Sequence, residues 1–281
     1  MTPQRAGVVS YVMGPTSSRA LPVLEGKVRT SYSNGELARA QMFQHEITAA
    51  ADFLEKRLGV KAKLELMVLS PADWERLVPM VPYGITNVSE QGGKFVAVVP
   101  ASQDNVVTQE ALAAAAALPA EWRTRLEEAG LSYAEVAKTF ADLAAVHELG
   151  HVWANLIDVP NAPPWFGEFL ATYLAYAYYQ ALEPKRALAW DALLATSVAR
   201  GRPQRCELDD FERSLEEGLP AFLWHQGRYQ QRVRVVHQVQ GLDFIGNVDR
   251  VLSAGDKLPT AQLLQKLELI APGFLAWAKA S

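Results

Sequence analysis

The sequence is short of cysteine. Cys206 stands alone among 281 residues, so no internal disulfide can form and a disulfide-stapled scaffold is excluded. Nothing near it in sequence would act as a base for the thiol, so it is read as structural. Long apolar runs are missing too. No stretch of about 20 apolar residues is present to cross a bilayer as a helix. The opening residues, MTPQRAGVVSYVMGPTSSRA, hold no apolar run of signal-peptide length, and the default expectation is a cytoplasmic protein. Basic blocks are lacking as well. The 27 Lys and Arg are set against 31 Asp and Glu, for a net charge of -4, and no basic face forms that would suit a phosphate backbone. Nucleic acid is therefore not an expected partner. No internal repeat is found.

What remains is material for a packed core. Hydrophobic residues make up 49% and charged residues 21%, the balance of a globular protein. The N-terminal third reads as strands. GVVSYVM and PVLEGKVRTSY alternate between apolar and polar, and so does KAKLELMVL at residues 61–69. Between them, Leu37, Met42, Phe43, Ile47, Phe53, Leu54 and Leu58 recur at three- and four-residue steps. That spacing predicts a helix over residues 36–58, stopped by Gly59. Ser70 before Pro71 reads as the cap of a short helix. YGITNVSEQGGKFVAVVP reads as a loop, a Gly-Gly turn and a strand over residues 94–99. After Pro100 the pattern is helical almost throughout, with long helices expected at residues 133–157, 164–181, 184–199 and 221–240. The fold class is therefore α+β. A strand-rich lobe, residues 1–105, carries a small mixed sheet with an edge strand. It sits over a mostly α-helical lobe, residues 106–281. No linker separates them, so residues 1–281 are read as a single unit.

The chemistry concentrates in AVHELGHVWANLIDVPNAPPWFGEFLATY, residues 145–173. His147-Glu148-Leu149-Gly150-His151 matches H-E-x-x-H. On a helix, residues four apart differ by about 40° around the axis and about 6 Å along it, so both imidazoles can converge on one ion. Glu148 points about 100° from His147. It is poorly placed as a ligand but can reach a water beside the ion, as a general base must. Ser132 and Glu135 form a capping-box pattern that starts the helix upstream. Asn155 shares the face of His151 and could orient a ligand. A catalytic zinc site needs three protein ligands, and Glu168 is the best third. Pro160, Pro163 and Pro164 end one helix and begin another. A helix returning antiparallel would bring the Glu168 carboxylate opposite the two imidazoles.

HELGH followed by PPWFGEFLATY resembles the gluzincin metallopeptidases, the thermolysin-like and aminopeptidase clan, over roughly residues 144–176. The resemblance implies a zincin-like fold and one Zn2+ per chain. It also implies His147, His151 and Glu168 as metal ligands, Glu148 as the base, and a peptide or protein substrate. More weakly, residues 84–99 resemble the turn and edge strand along which such enzymes bind an extended substrate, with residues 94–99 as the strand.

The departures are specific. The G-A-M-E-N sequence that captures a substrate amino terminus is absent, so aminopeptidase activity is not implied. Thr172 stands where the thermolysin-like enzymes carry an acidic residue, which leaves His147 needing another group to orient it. Trp224 stands where the aminopeptidases place the tyrosine that stabilises the oxyanion. Tyr229, then His225, are the candidate replacements, with His237 as a further neighbour. Arg228 and Arg232 read as a solvated basic face.

The leading expectation is a zinc-dependent metallohydrolase cleaving peptide or amide bonds. The alternative is a non-catalytic peptide- or zinc-binding protein on a peptidase-like scaffold.

Overall fold

The computed structural model describes residues 21–157, 162–252 and 258–280. The strand read in GVVSYVM lies outside these residues. Five strands form one sheet: β1 (Val23–Leu24), β2 (Arg29–Tyr32), β3 (Leu64–Leu69), β4 (Asn87–Gln91) and β5 (Lys94–Pro100). Their order is β1-β2-β3-β5-β4. The three central strands run parallel, and the two edges pair antiparallel to their neighbours. The mixed sheet and the α+β class are as expected.

The alternation of strand side chains sets the two faces. Leu64, Leu66 and Val68 of β3, with Phe95, Ala97 and Val99 of β5, enter the main core. Leu69 and Val98 turn the other way, into a small second cluster with Trp74 and Leu77. Those two residues belong to α2 (Pro71–Leu77), whose cap is Ser70, its side chain accepting from the Asp73 amide. The crossover from β2 to β3 is α1 (Leu37–Leu58), which buries Phe43, Ile47 and Leu54 and ends at a left-handed Gly59.

Two expectations are corrected. Residues 87–91, read as a loop, form β4. They pair with β5 across Gly92 and Gly93, both at positive φ (58° and 77°), the conformation that tight hairpin turns need. The segment NVSEQ holds a single apolar residue, Val88, so its alternation gave no signal. Consequently the strand at residues 94–100 is interior, and β4 is the edge among the described residues. The helix expected over residues 133–157 is also broken. α5 (Tyr133–Lys138) and α6 (Phe140–Leu156) meet at Thr139, where φ is -92° and ψ is 2°. The Ser132–Glu135 capping box is formed, but it caps α5 and not the helix that carries the motif.

The helical part continues with α3 (Val106–Ala113), α4 (Ala120–Glu128), α7 (Pro164–Leu182), α8 (Pro184–Ala199), α9 (Leu219–Gln240), α10 (Asp243–Val251), α11 (Thr260–Ile270) and α12 (Phe274–Lys279). A ten-residue 3-10 stretch, Leu208–Glu217, precedes α9. One hydrophobic cluster runs from Val28 in the sheet region to Phe274 in α12. A partly buried ion pair ties the layers together. Arg39 on α1 grips Asp142 on α6 through two nitrogens, at 2.6 and 3.1 Å, while its Nε donates to the Ala101 carbonyl at 2.8 Å.

α6 is buried all round. Over residues 140–153 only Ala144 and Glu148 keep appreciable exposure, as expected of a helix at the centre of a core. Its neighbour α7 approaches very closely at Gly150. A Cβ there would lie 2.3 Å from the backbone oxygen of Ala171.

Gly150→Ala should therefore cost about 1–3 kcal/mol or more, because backbone must move to admit one methyl group. Gly246→Ala on α10, where an added Cβ meets nothing within 4 Å, should be neutral or slightly stabilising through helix propensity. Chemical denaturation of both variants measures the contrast, and equal effects would mean that the α6–α7 contact is not tight.

Candidate metal centre

α6 places His147 and His151 one turn apart on one face, with ring centroids 4.8 Å apart and planes at 89°. α7 starts with Pro164 in its first turn, where a missing N–H costs nothing, and Glu168 follows one turn later. The two helices bring the three side chains together. Glu168 Oε2 lies 3.2 Å from His147 Nε2 and 3.5 Å from His151 Nε2. One ligand atom from each of the three lies within 4.8 Å of the others. For bonds of about 2.0–2.1 Å to a tetrahedral zinc, neighbouring ligand atoms sit about 3.3–3.4 Å apart. The two nitrogens and one carboxylate oxygen thus match the donor set, and approach the spacing, of a three-ligand zinc site.

The fourth side opens into a cleft of about 150 Å³. His147, Glu148, His151 and Glu168 line it together with a mostly apolar wall that includes Ile85, Val107, Phe140, Trp190, Phe222 and Leu223. No Lys or Arg lines it among the described residues. Glu148 reaches the same cleft without joining the three-residue cluster, and its Oε1 accepts a 3.2 Å hydrogen bond from the Thr86 hydroxyl.

Burial and mutual attraction set the charges. Burial raises the Glu148 carboxyl and neighbouring Glu168 adds to this; His151 and the Thr86 hydrogen bond oppose it, and it rests at about 8. Burial works against a charged His151, but the Glu168 carboxylate outweighs it and lifts the imidazole to about 9. His147 is pulled below its ordinary value, chiefly by burial. For Glu168, burial is overcome by the two histidines, which hold its carboxyl well below the usual carboxylate range. A divalent cation at the centre would favour neutral imidazoles and ionised carboxylates throughout.

Thr172 turns out to meet the first histidine itself. Its Oγ1 lies 3.3 Å from His147 Nδ1 and 3.4 Å from Gln226 Oε1, and Gln226 Nε2 donates to Glu168 Oε2 at 2.7 Å. The expectation that a residue other than Thr172 must hold His147 is thereby corrected.

The expected oxyanion donors are not brought to the cleft. α9 faces it with Leu219, Phe222, Leu223 and Gln226, an i, i+3, i+4, i+7 stripe. His225 and Tyr229 fall off that stripe. His225 Nε2 pairs with the Arg205 carbonyl at 3.1 Å. The Tyr229 ring is fully buried against Trp165, Phe211 and Trp277. Trp224 and His237 also lie outside the cleft lining, His237 being packed on Tyr173 and Tyr176. Asn155 Nδ2 donates to the His151 carbonyl at 2.9 Å, so its side chain is turned to the helix backbone and not to a ligand imidazole. Arg232 is buried, holding the Ala271 and Pro272 carbonyls at 2.8 Å, and Arg228 reaches the Trp277 carbonyl. Both brace α9 against the C-terminal segment instead of forming a solvated face.

Sequence reasoning missed Thr86 and Gln226. Thr86 lies 62 residues from Glu148 and gave no local sign. Gln226 did leave one: it is the polar interruption in the apolar stripe of α9.

Without metal, Glu148 should oppose folding as pH rises. Its folded value of about 8 stands above the ordinary 4.5, so the fold favours its protonated form. That contribution is full below about 4.5 and is lost as pH rises through about 8. Glu148→Gln keeps a neutral group at every pH. Urea unfolding in chelator should show wild type losing stability relative to the Gln variant across this range; parallel curves would rule the shift out.

Comparison with protein-family models, curated proteins and solved structures finds no match to the chain, so the likeness to gluzincins rests on the motif residues alone.

Proposed function

We propose that this protein is a zinc-dependent hydrolase of gluzincin type, cleaving a peptide or amide bond in the cleft beside α6. The observation that carries the reading is the convergence of His147, His151 and Glu168 from two helices, with Glu148 facing the same cleft but left out of the cluster. A purely structural metal site has no use for that extra carboxylate. Bound zinc would supply a Lewis acid that polarises a carbonyl and lowers the pKa of water.

The chain's own residues do the rest. Glu148, steadied by Thr86, accepts the proton of the attacking water and delivers it to the departing amine nitrogen. The apolar wall excludes bulk water and suits a large apolar side chain next to the scissile bond. The β4 edge borders the cleft at Asn87 and Val88, and as an edge strand among the described residues it suits an extended peptide added as a further strand.

A second reading keeps one observation of its own. With Tyr229 and His225 turned away, neither expected donor stands ready for a developing oxyanion. That favours a protein that binds zinc and peptide without cutting.

Elemental analysis of protein purified without chelators should give close to one zinc per chain, and His147→Ala should lose it. Peptide-library cleavage then separates the readings. Glu148→Gln should retain zinc while turnover falls about 10²–10⁴-fold, the usual worth of a general base. Zinc without any cleavage by wild type would leave the binding reading, and no zinc even after equilibration would end both.

A further inference from the structure

Gln226 is buried, 4% exposed, and belongs to neither the ligand set nor the base. Its contacts fix the direction of every proton around it. A carboxylate only accepts hydrogen bonds, so the 2.7 Å contact with Glu168 Oε2 must be made by the Gln226 amide N–H. That orientation leaves the Gln226 carbonyl oxygen facing the Thr172 hydroxyl at 3.4 Å. A carbonyl also only accepts, so Thr172 gives its one proton to Gln226. The Thr172 oxygen then accepts from His147 Nδ1, 3.3 Å away, which puts the proton on Nδ1 in preference to Nε2, 3.2 Å from Glu168 Oε2. Two consequences follow. His147 Nε2, 3.2 Å from Glu168 Oε2, is then left for a cation that the two would share. The same amide also occupies one lone pair of Oε2, fixing the direction of the other.

We propose that Thr172 and Gln226 are positioning residues. They form a one-way relay, His147 Nδ1–H to Thr172 to Gln226 to Glu168, that locks one ligand histidine in its metal-binding tautomer and aims the ligand carboxylate with the same amide. This rests on the zinc reading above for its purpose, though not for its geometry. The relay links α6, α7 and α9. It does with two neutral side chains what an acidic partner of His147 would do with a charge, and so adds no further negative charge to a buried centre that already holds two carboxylates. The height of α9 is itself fixed beside the relay, since a Cβ on Gly227 would lie 2.5 Å from the Leu194 backbone oxygen.

Two measurements test it. The first needs no metal. Nitrogen NMR of histidine-labelled, chelator-treated protein at neutral pH should show His147 protonated at Nδ1 in wild type and in Thr172→Ser, with Nε2–H growing in for Thr172→Val. A bare Nδ1 in wild type overturns the proposal. The second is zinc affinity by competition with a chromophoric chelator. Thr172→Val and Gln226→Met should each weaken binding about 10–100-fold, while Thr172→Ser stays close to wild type. Because both changes break one relay, the double variant should bind no more than about twofold worse than the weaker single variant. Additive losses, or singles that bind like wild type, overturn it. If wild type takes up no zinc, the hydrolase reading fails, and the nitrogen spectra decide the relay alone.

Discussion

The site exists because two helices touch at a glycine. At Gly150 the α6 surface is bare backbone, and the Ala171 carbonyl of α7 occupies the space a side chain would fill. That contact sets the interhelical distance at the level of His147 and His151. Glu168 lies one turn before Ala171, and Thr172 directly after it. A wider spacing would carry the carboxylate and the hydroxyl away from the imidazoles together. The glycine inside HELGH is therefore as much a part of the centre as the residues that point into it.

Burying four ionisable side chains between packed helices is costly unless each finds a partner. Here the partners are one another and three neutral side chains, Gln226, Thr86 and Thr172. Glu168 serves both histidines and the Gln226 amide, and Thr86 serves Glu148. Desolvation lowers both histidines and Glu168 raises both; His147 ends below its ordinary value, with the His151 charge beside it, and His151 ends above, with Glu148 adding to Glu168. Away from the cleft, the paired Arg39 and Asp142 brace α6 against α1 and the end of β5. The helix that carries His147, Glu148 and His151 is thus fixed from both sides, by an ion pair near its start and by close backbone contact in its middle.

The sheet contributes an edge and a hydroxyl. β4 is short, mostly polar and, among the described residues, paired on one side only, and its first residues reach the cleft wall. Thr86, immediately before it, ties that wall to Glu148. The connection between strand-rich and helical parts is made by a continuous apolar core, by polar contacts away from the cleft such as Arg39–Asp142, and by these contacts at the cleft.

What the sequence determined was local. The four-residue spacing of His147 and His151 puts two imidazoles on one helix face whatever surrounds them, because helix geometry fixes it. The proline pair announced a second helix, with Glu168 one turn into it. The alternation of residues 61–69 and the three- and four-residue steps of residues 36–58 announced β3 and α1. Only the tertiary structure decided how these pieces meet. It made β4 a strand, since a polar segment with one valine pairs only because β5 is beside it. It broke the long helix at Thr139, where propensity alone favoured continuity. It turned His225 and Tyr229 away from the cleft, because the face that α9 shows depends on packing against α8. And it gave Thr172 and Gln226 their place, since a hydrogen bond across 54 residues leaves no periodicity for a sequence to display.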